Sequence, residues 1–273
     1  MSVFMVMALV PVAALAHSLF IQSGRYLVHN GQESPLFFCY GHYVPVADAV
    51  RREKLSFVRV FDPAGARFDV ELRDGKSLHS YVITYDKPGT YVLAAETNPG
   101  YFGMYIDKQG KKRHSLKPLS GYIEKAASIL SSMRSSQWAK TYVVCEKPSE
   151  AFPARVGLLL ELVPEKDLTC LQKGDRITFT VYFDGKPYTG DGFWDATYNG
   201  FSTESEDMYL QQTAVSGGVF SVPIDESGRW FVRFFTKVPA AEKDRNRYLV
   251  DKRTATITFE VRNKRKRPKI KRN

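Results

Sequence analysis

Short alternating segments rich in Val, Tyr, Phe and Thr, cut by turns containing Gly, Pro and Asp, predict a mostly β chain built as two β-sandwich, immunoglobulin-like domains. One observation is the succession SLFIQSGRYLV, SPLFFCYGH, LSFVRVFDPAG, RFDVELRDG, HSYVITYDKPG and TYVLAAETNPG. The other is a restart: after the Pro-containing link KPSEAFPAR the pattern resumes with VGLLLELVP, DRITFTVYFDGKPYTG, DGFWDATYNGFS, GGVFSVPIDESGRWFVRFFTK and KRTATITFEV. The expected organisation is a signal peptide over 1–16, an N-terminal β domain over 17–150, a C-terminal β-sandwich over 155–262 and a basic tail over 263–273.

The leader MSVFMVMALVPVAALA has no charged side chain and ends with Ala14 and Ala16 in the small-residue positions that signal peptidase accepts. It lacks the Lys or Arg that normally opens such a segment, and its apolar run is short for a transmembrane helix, which needs about 20 residues. Cleavage after Ala16 makes His17 the mature N-terminus and places the protein in the periplasm or otherwise outside the cytosol.

Within the first domain, DPAG, RDGK and DKPG supply turns in which Pro presets φ and Gly accepts positive φ. The stretch LSGYIEKAASILSSMRSSQWAKTYVV sets Ile123, Ala127, Ile129, Leu130 and Met133 on one face at helical spacing, so one helix or helical crossover is expected there, leading into a strand TYVVCE. KQGKKRH, with His114, reads as a solvated hairpin tip. In the second domain the DG of YFDGKPY marks a hairpin turn, and Trp230 is expected in the core.

The net charge of +10 is misleading about partners, because seven of those charges lie in the tail KRKRPKIKRN and the remainder carries +3. Nucleic acid is not an expected partner; the tail suits anionic surfaces and otherwise reads as a solvated run. Three cysteines, Cys39, Cys145 and Cys170, are too few for a disulfide framework and leave open one bridge or three thiols.

The chain has no G-x-S-x-G, H-E-x-x-H or C-x-x-C motif and no phosphate-binding glycine loop, so no catalytic residues are assigned and the expectation is a carrier, not an enzyme. Five histidines remain, His17, His29, His42, His79 and His114, all before residue 150. His17 differs from the rest: a freed α-amine, with a pKa near about 8, and the imidazole Nδ1 can close a six-membered chelate ring on one metal ion. His42, at the end of the strand SPLFFCYGH, is the expected second ligand, with His79 and His114 as possible third ligands. Imidazole and amine nitrogens suit Ni(II), Cu(II) and Zn(II), and a planar, nitrogen-rich arrangement favours nickel or copper.

The Ala-His junction, CYGHYVP, DKPGTYVLAAETNPGYF, WAKTYVV, GDRITFTVYFDGKPYTG, WDATYNGFST, SGRWFVRF and TATITFEV, in that order over the whole mature chain, resemble the periplasmic uncharacterised-domain family described as nickel/cobalt uptake transporter components. The resemblance implies a periplasmic accessory protein beside a metal-uptake transporter in the membrane, with a mature N-terminal histidine (His17) and a Gly-His motif (Gly41, His42) holding Ni(II) or Co(II). Two readings of the residues stand beside it. One is a histidine-brace copper enzyme, in which Tyr40 or Tyr43 would sit beside the metal. The other is a glycan- or protein-binding β-sandwich module using Tyr-rich loops such as GFWDATYNGFS.

Overall fold

The computed structural model describes residues 17–41, 43–205 and 207–263. The leader, His42 and residues 264–273 of the basic tail therefore lie outside the described residues. In chain order the longer strands are β1 (Ser18–Ser23), β2 (Gln32–Gly41), β3 (Leu55–Phe61), β4 (Ser80–Tyr85), β5 (Gly89–Thr97), β6 (Gly100–Asp107), β7 (Lys112–Ser115) and β8 (Ala126–Cys145). The second half adds β9 (Leu160–Pro164), β10 (Arg176–Phe183), β11 (Asp191–Tyr198), β12 (Leu210–Ser216), β13 (Val219–Pro223), β14 (Gly228–Pro239) and β15 (Val250–Val261).

An 11-stranded sheet runs β12–β11–β14–β15–β8–β5–β3 and ends on the short strand Arg67–Asp69, while β6 pairs the first half of β8 and β7 pairs β6. A three-stranded sheet, β1–β2–β4, covers one face, and a four-stranded sheet of β9, β10, β13 and the short strand Lys186–Pro187 covers the other. The alternation of β5 shows how one strand serves two cores. Tyr91, Leu93 and Ala95 pack under β1, β2 and β4, whereas Val92 and Ala94 join the core beneath β9 and β10. Burial on both faces is why TYVLAA reads as a continuous apolar run. Trp230 lies in the second core at 1% exposure, and the YFDGK hairpin turns through Asp184 (φ 49°) and Gly185 (φ 74°), the positive pair that a type I′ turn requires.

The expected helix is absent: Ala126–Cys145 is a 20-residue strand, and the described helical turns are all short 3-10 segments. Two irregularities in its pairing with β6 explain the misreading. Met104 pairs Ser131 but Tyr105 pairs Ile129, and Ile106 pairs Ser128 but Asp107 pairs Ala126, so Leu130 and Ala127 are extra residues. Each bulge shifts the two-residue repeat by one. Ala126 and Ile129, three apart, consequently pack into the same small cluster with Tyr105, Leu119 and Tyr122. Serines at 128, 131, 132, 135 and 136, weak helix formers, offer no competing preference.

β8 and β15 run parallel from the Met133–Val250 pair to the Thr141–Thr258 pair, so strands from before and after the 146–159 connection share one sheet. A broad-specificity protease is expected to cut first at the exposed run Glu146–Pro148. The two fragments should then co-elute on gel filtration under native conditions, because the β8–β15 ladder is untouched. Fragments that separate without denaturant would contradict this.

Candidate functional site

The site is built at the start of β1. Ser18 pairs with Gly41 across the antiparallel β1–β2 ladder, so the residue after His17 stands opposite the residue before His42. Gly41 is required by packing: a Cβ there would lie 2.8 Å from the Ala47 Cβ and 3.2 Å from the Asp48 amide nitrogen. That close approach lets the chain after β2 fold back, with the Tyr40 amide donating to the Asp48 carbonyl at 3.4 Å. Asp48 is thereby delivered to His17, its Oδ2 3.6 Å from Nε2, with the two side chains 63% and 45% exposed.

Two further side chains, Tyr40 and Gln137, hold His17. The Tyr40 ring lies parallel to its imidazole, 5.4 Å between centroids and 6° between planes, and Lys54 Nζ sits 4.5 Å from the centre of the Tyr40 ring. Gln137, on β8 and buried, grips the backbone from below: its Nε2 donates to the His17 carbonyl at 2.7 Å and its Oε1 accepts from the Leu19 amide at 2.6 Å. One amide side chain thus does for β1 what a neighbouring strand would do. Thr256 Oγ1 adds a bond to the Leu19 carbonyl at 2.6 Å.

The sheet beneath β1 holds a buried ion pair. Arg233 on β14 makes two parallel bonds to Asp195 on β11, Nε to Oδ1 at 3.0 Å and Nη2 to Oδ2 at 2.6 Å, and its Nη1 donates to Ser18 Oγ at 2.9 Å. The fork geometry fixes the guanidinium, and the guanidinium fixes the residue next to His17. Beside this lies a shallow recess, open to solvent and lined by Val44, Thr197, Glu204, Asp207 and Met208 among others. Val44 and Met208 also pack with Phe20 of β1 and Cys39 of β2.

The other histidines are placed differently. His79 is buried, with Nδ1 3.1 Å from the Tyr81 hydroxyl and Nε2 3.2 Å from the Val50 carbonyl, and burial lowers its pKa towards the neutral ring. His114 is exposed on β7, its ring stacked 6.4 Å from Phe102, and His29 stands at the surface with Nδ1 3.5 Å from Glu146. All three thiols are free: Cys39 and Cys145 are buried and Cys170 is exposed. Burial pushes the Cys39 thiol up to about 11. Among the described residues, no group of three His, Cys, Asp or Glu side chains stands close enough to hold a metal ion. His17 is therefore described with Asp48, while its expected partner His42 lies outside the described residues.

Asp48, Gln137, Asp195 and Arg233 escaped the sequence reading. Asp195 and Arg233 had a signal, since each is a charge inside an otherwise apolar strand, GFWDATY and WFVRFF. Asp48 had none, because VPVADAV carries no pattern that ties it to His17.

A family model described as "Domain of unknown function (DUF4198)" matches residues 14–238. No protein with a curated description matches the sequence significantly. Similar solved structures include an alpha-2-macroglobulin of Escherichia coli activated by porcine elastase, at 12% identity and a TM-score of 0.24, of which the alignment covers 20% against 90% of this chain. Fibronectin(III)-like modules of CbhA from Clostridium thermocellum align at 8% identity and TM-score 0.21, over 90% of this chain and 99% of theirs. Murine CEACAM1b aligns at 9% identity and TM-score 0.20, over 90% and 99%. TM-scores this low say nothing about what the chain does.

Proposed function

Because this chain belongs to the DUF4198 family, a domain whose description assigns no activity, we propose from the site itself that it is an exported accessory protein binding Ni(II) or Co(II) at its mature N-terminal His17. Its place is the periplasm, and its partner a metal-uptake transporter in the membrane. The observation that carries the reading is Asp48 beside the Nε2 edge of His17, at 3.6 Å. A carboxylate facing Nε2 favours the proton on that nitrogen, which puts the lone pair on Nδ1 and raises its basicity. Nδ1 is the nitrogen that can chelate together with a freed α-amine. The parallel Tyr40 ring and the Gln137 bonds hold the imidazole and the backbone in place before metal arrives. His42 follows Gly41, the partner of Ser18, and is the proposed second donor.

The metal is cargo in this reading, and no residue is given a catalytic role. Calorimetric titration of the processed protein with nickel, cobalt, copper and zinc tests it. Asp48→Asn keeps the size of the side chain and removes the charge, so nickel affinity is expected to fall about tenfold, in the range found for carboxylates behind a ligating histidine. Binding unchanged in Asp48→Asn would remove the support that this carboxylate lends. No metal binding by the correctly processed protein would favour the glycan- or protein-binding module.

A further inference from the structure

We propose that the surface running from Lys108 to Lys125 docks on an anionic lipid bilayer, a property independent of the metal reading. The stretch carries Lys108, Lys111, Lys112, Arg113, Lys117 and Lys125 against the single acid Glu124, and every one of these side chains is exposed. Within it Leu116 is 79% exposed and Ile123 49%.

These apolar side chains are not on a loose loop. Asp107 closes the β6–β7 turn, its Oδ1 accepting from the Gln109 and Lys111 amides at 3.0 and 2.8 Å and its Oδ2 from Arg113 Nε at 2.8 Å. Further on, Leu119 and Tyr122 are buried, the Tyr122 ring stacks 5.0 Å from Tyr105, and a Cβ at Gly103 would fall 2.2 Å from the Tyr122 hydroxyl. The Leu119 and Ser120 amides donate to the Arg247 and Asn246 carbonyls at 2.7 and 3.0 Å. The segment is pinned through Leu119 and Tyr122, and Leu116 and Ile123 are held outward between lysines.

A bilayer with acidic headgroups satisfies both halves of this surface at once. Lysine ammonium groups pair with headgroup phosphates, and a leucine and an isoleucine reach the boundary of the acyl chains. Charge complementarity points to an acidic occupant, because six cations around two apolar tips attract an anionic surface and repel a basic one.

Co-sedimentation of the full chain with vesicles tests the proposal. The protein should bind phosphatidylglycerol mixed into phosphatidylcholine and not phosphatidylcholine alone. Both Leu116→Glu/Ile123→Glu and Lys111→Gln/Lys112→Gln/Lys117→Gln should weaken that binding by about tenfold or more, with thermal melting unchanged. Two different sets of substitutions guard against a folding defect in either. Wild type that ignores phosphatidylglycerol overturns the proposal and leaves an acidic protein as the partner to seek. Variants that bind as wild type does also overturn it, and assign the affinity to another basic part of the chain, such as the C-terminal tail.

Discussion

Placing one alanine ahead of His17 in the processed protein is expected to weaken nickel and cobalt binding by roughly 10- to 1000-fold, at about 1.4 kcal/mol per decade. The extension converts the α-amine into an amide, a poor donor while it keeps its proton, and opens the six-membered ring that the amine closes with Nδ1. Every side chain of the site stays. The backbone should also stay, because Gln137 holds the His17 carbonyl and the Leu19 amide, neither of which the extension alters. His42→Ala should cost a similar amount. His79→Gln should leave affinity unchanged, since both ring nitrogens already face partners within the fold. Affinity for the unextended protein should fall as pH drops below about 7, because protons compete for an amine of pKa near 8 and for the imidazoles. An extended protein that binds nickel as tightly as the processed one would falsify the N-terminal site and leave Asp48 as an ordinary surface neighbour of a histidine.

Much of the scaffold around that site was legible in the sequence, and the failures have physical causes. Strands with one covered face announced themselves by alternation, as β10 does with Ile177, Phe179 and Val181 buried and Arg176 exposed. β8 failed because its two bulges displace the repeat and its second half is buried on both sides, which leaves no alternation to read. The helical spacing of Ile129 and Met133 was therefore an accident of register. His17 was singled out because an A-x-A pattern and a metal-binding residue type fall together in the sequence. Asp48 was not, since it reaches His17 only through the fold-back that Gly41 permits. Gln137 lay inside the misassigned segment, so its grip on β1 depended on first recognising β8 as a strand.

The other large effect is expected far from the histidines, at Lys140 on β8. Its ammonium and the Glu161 carboxylate are each 1% exposed and 2.7 Å apart, and Nζ also donates to the Ala154 carbonyl at 2.5 Å. Glu161 in turn accepts from the Val156 amide at 2.8 Å and the Gly157 amide at 3.1 Å. One ion pair thus fastens the connection between the two halves onto the core shared by Trp138, Leu160 and Leu162. Burial pushes the Lys140 pKa down, and attraction to Glu161 opposes that shift. Lys140→Met fills similar volume but leaves a buried carboxylate without its cation, so stability in urea should drop by about 3–5 kcal/mol. Glu161→Leu should cost at least as much, because it strands the ammonium and also leaves two amide groups unpaired, each worth about 1–3 kcal/mol when buried. Lys140→Met/Glu161→Gln separates charge from packing: it removes both charges while the amide oxygen can still accept from Val156. That double variant should be more stable than Lys140→Met alone by about 1–3 kcal/mol, a coupling typical of contacting residues. If the double variant is instead destabilised by the sum of the losses of Lys140→Met and Glu161→Gln made singly, the pair does not act as a unit, and the connection must be held by the packing of Phe152 against Tyr142.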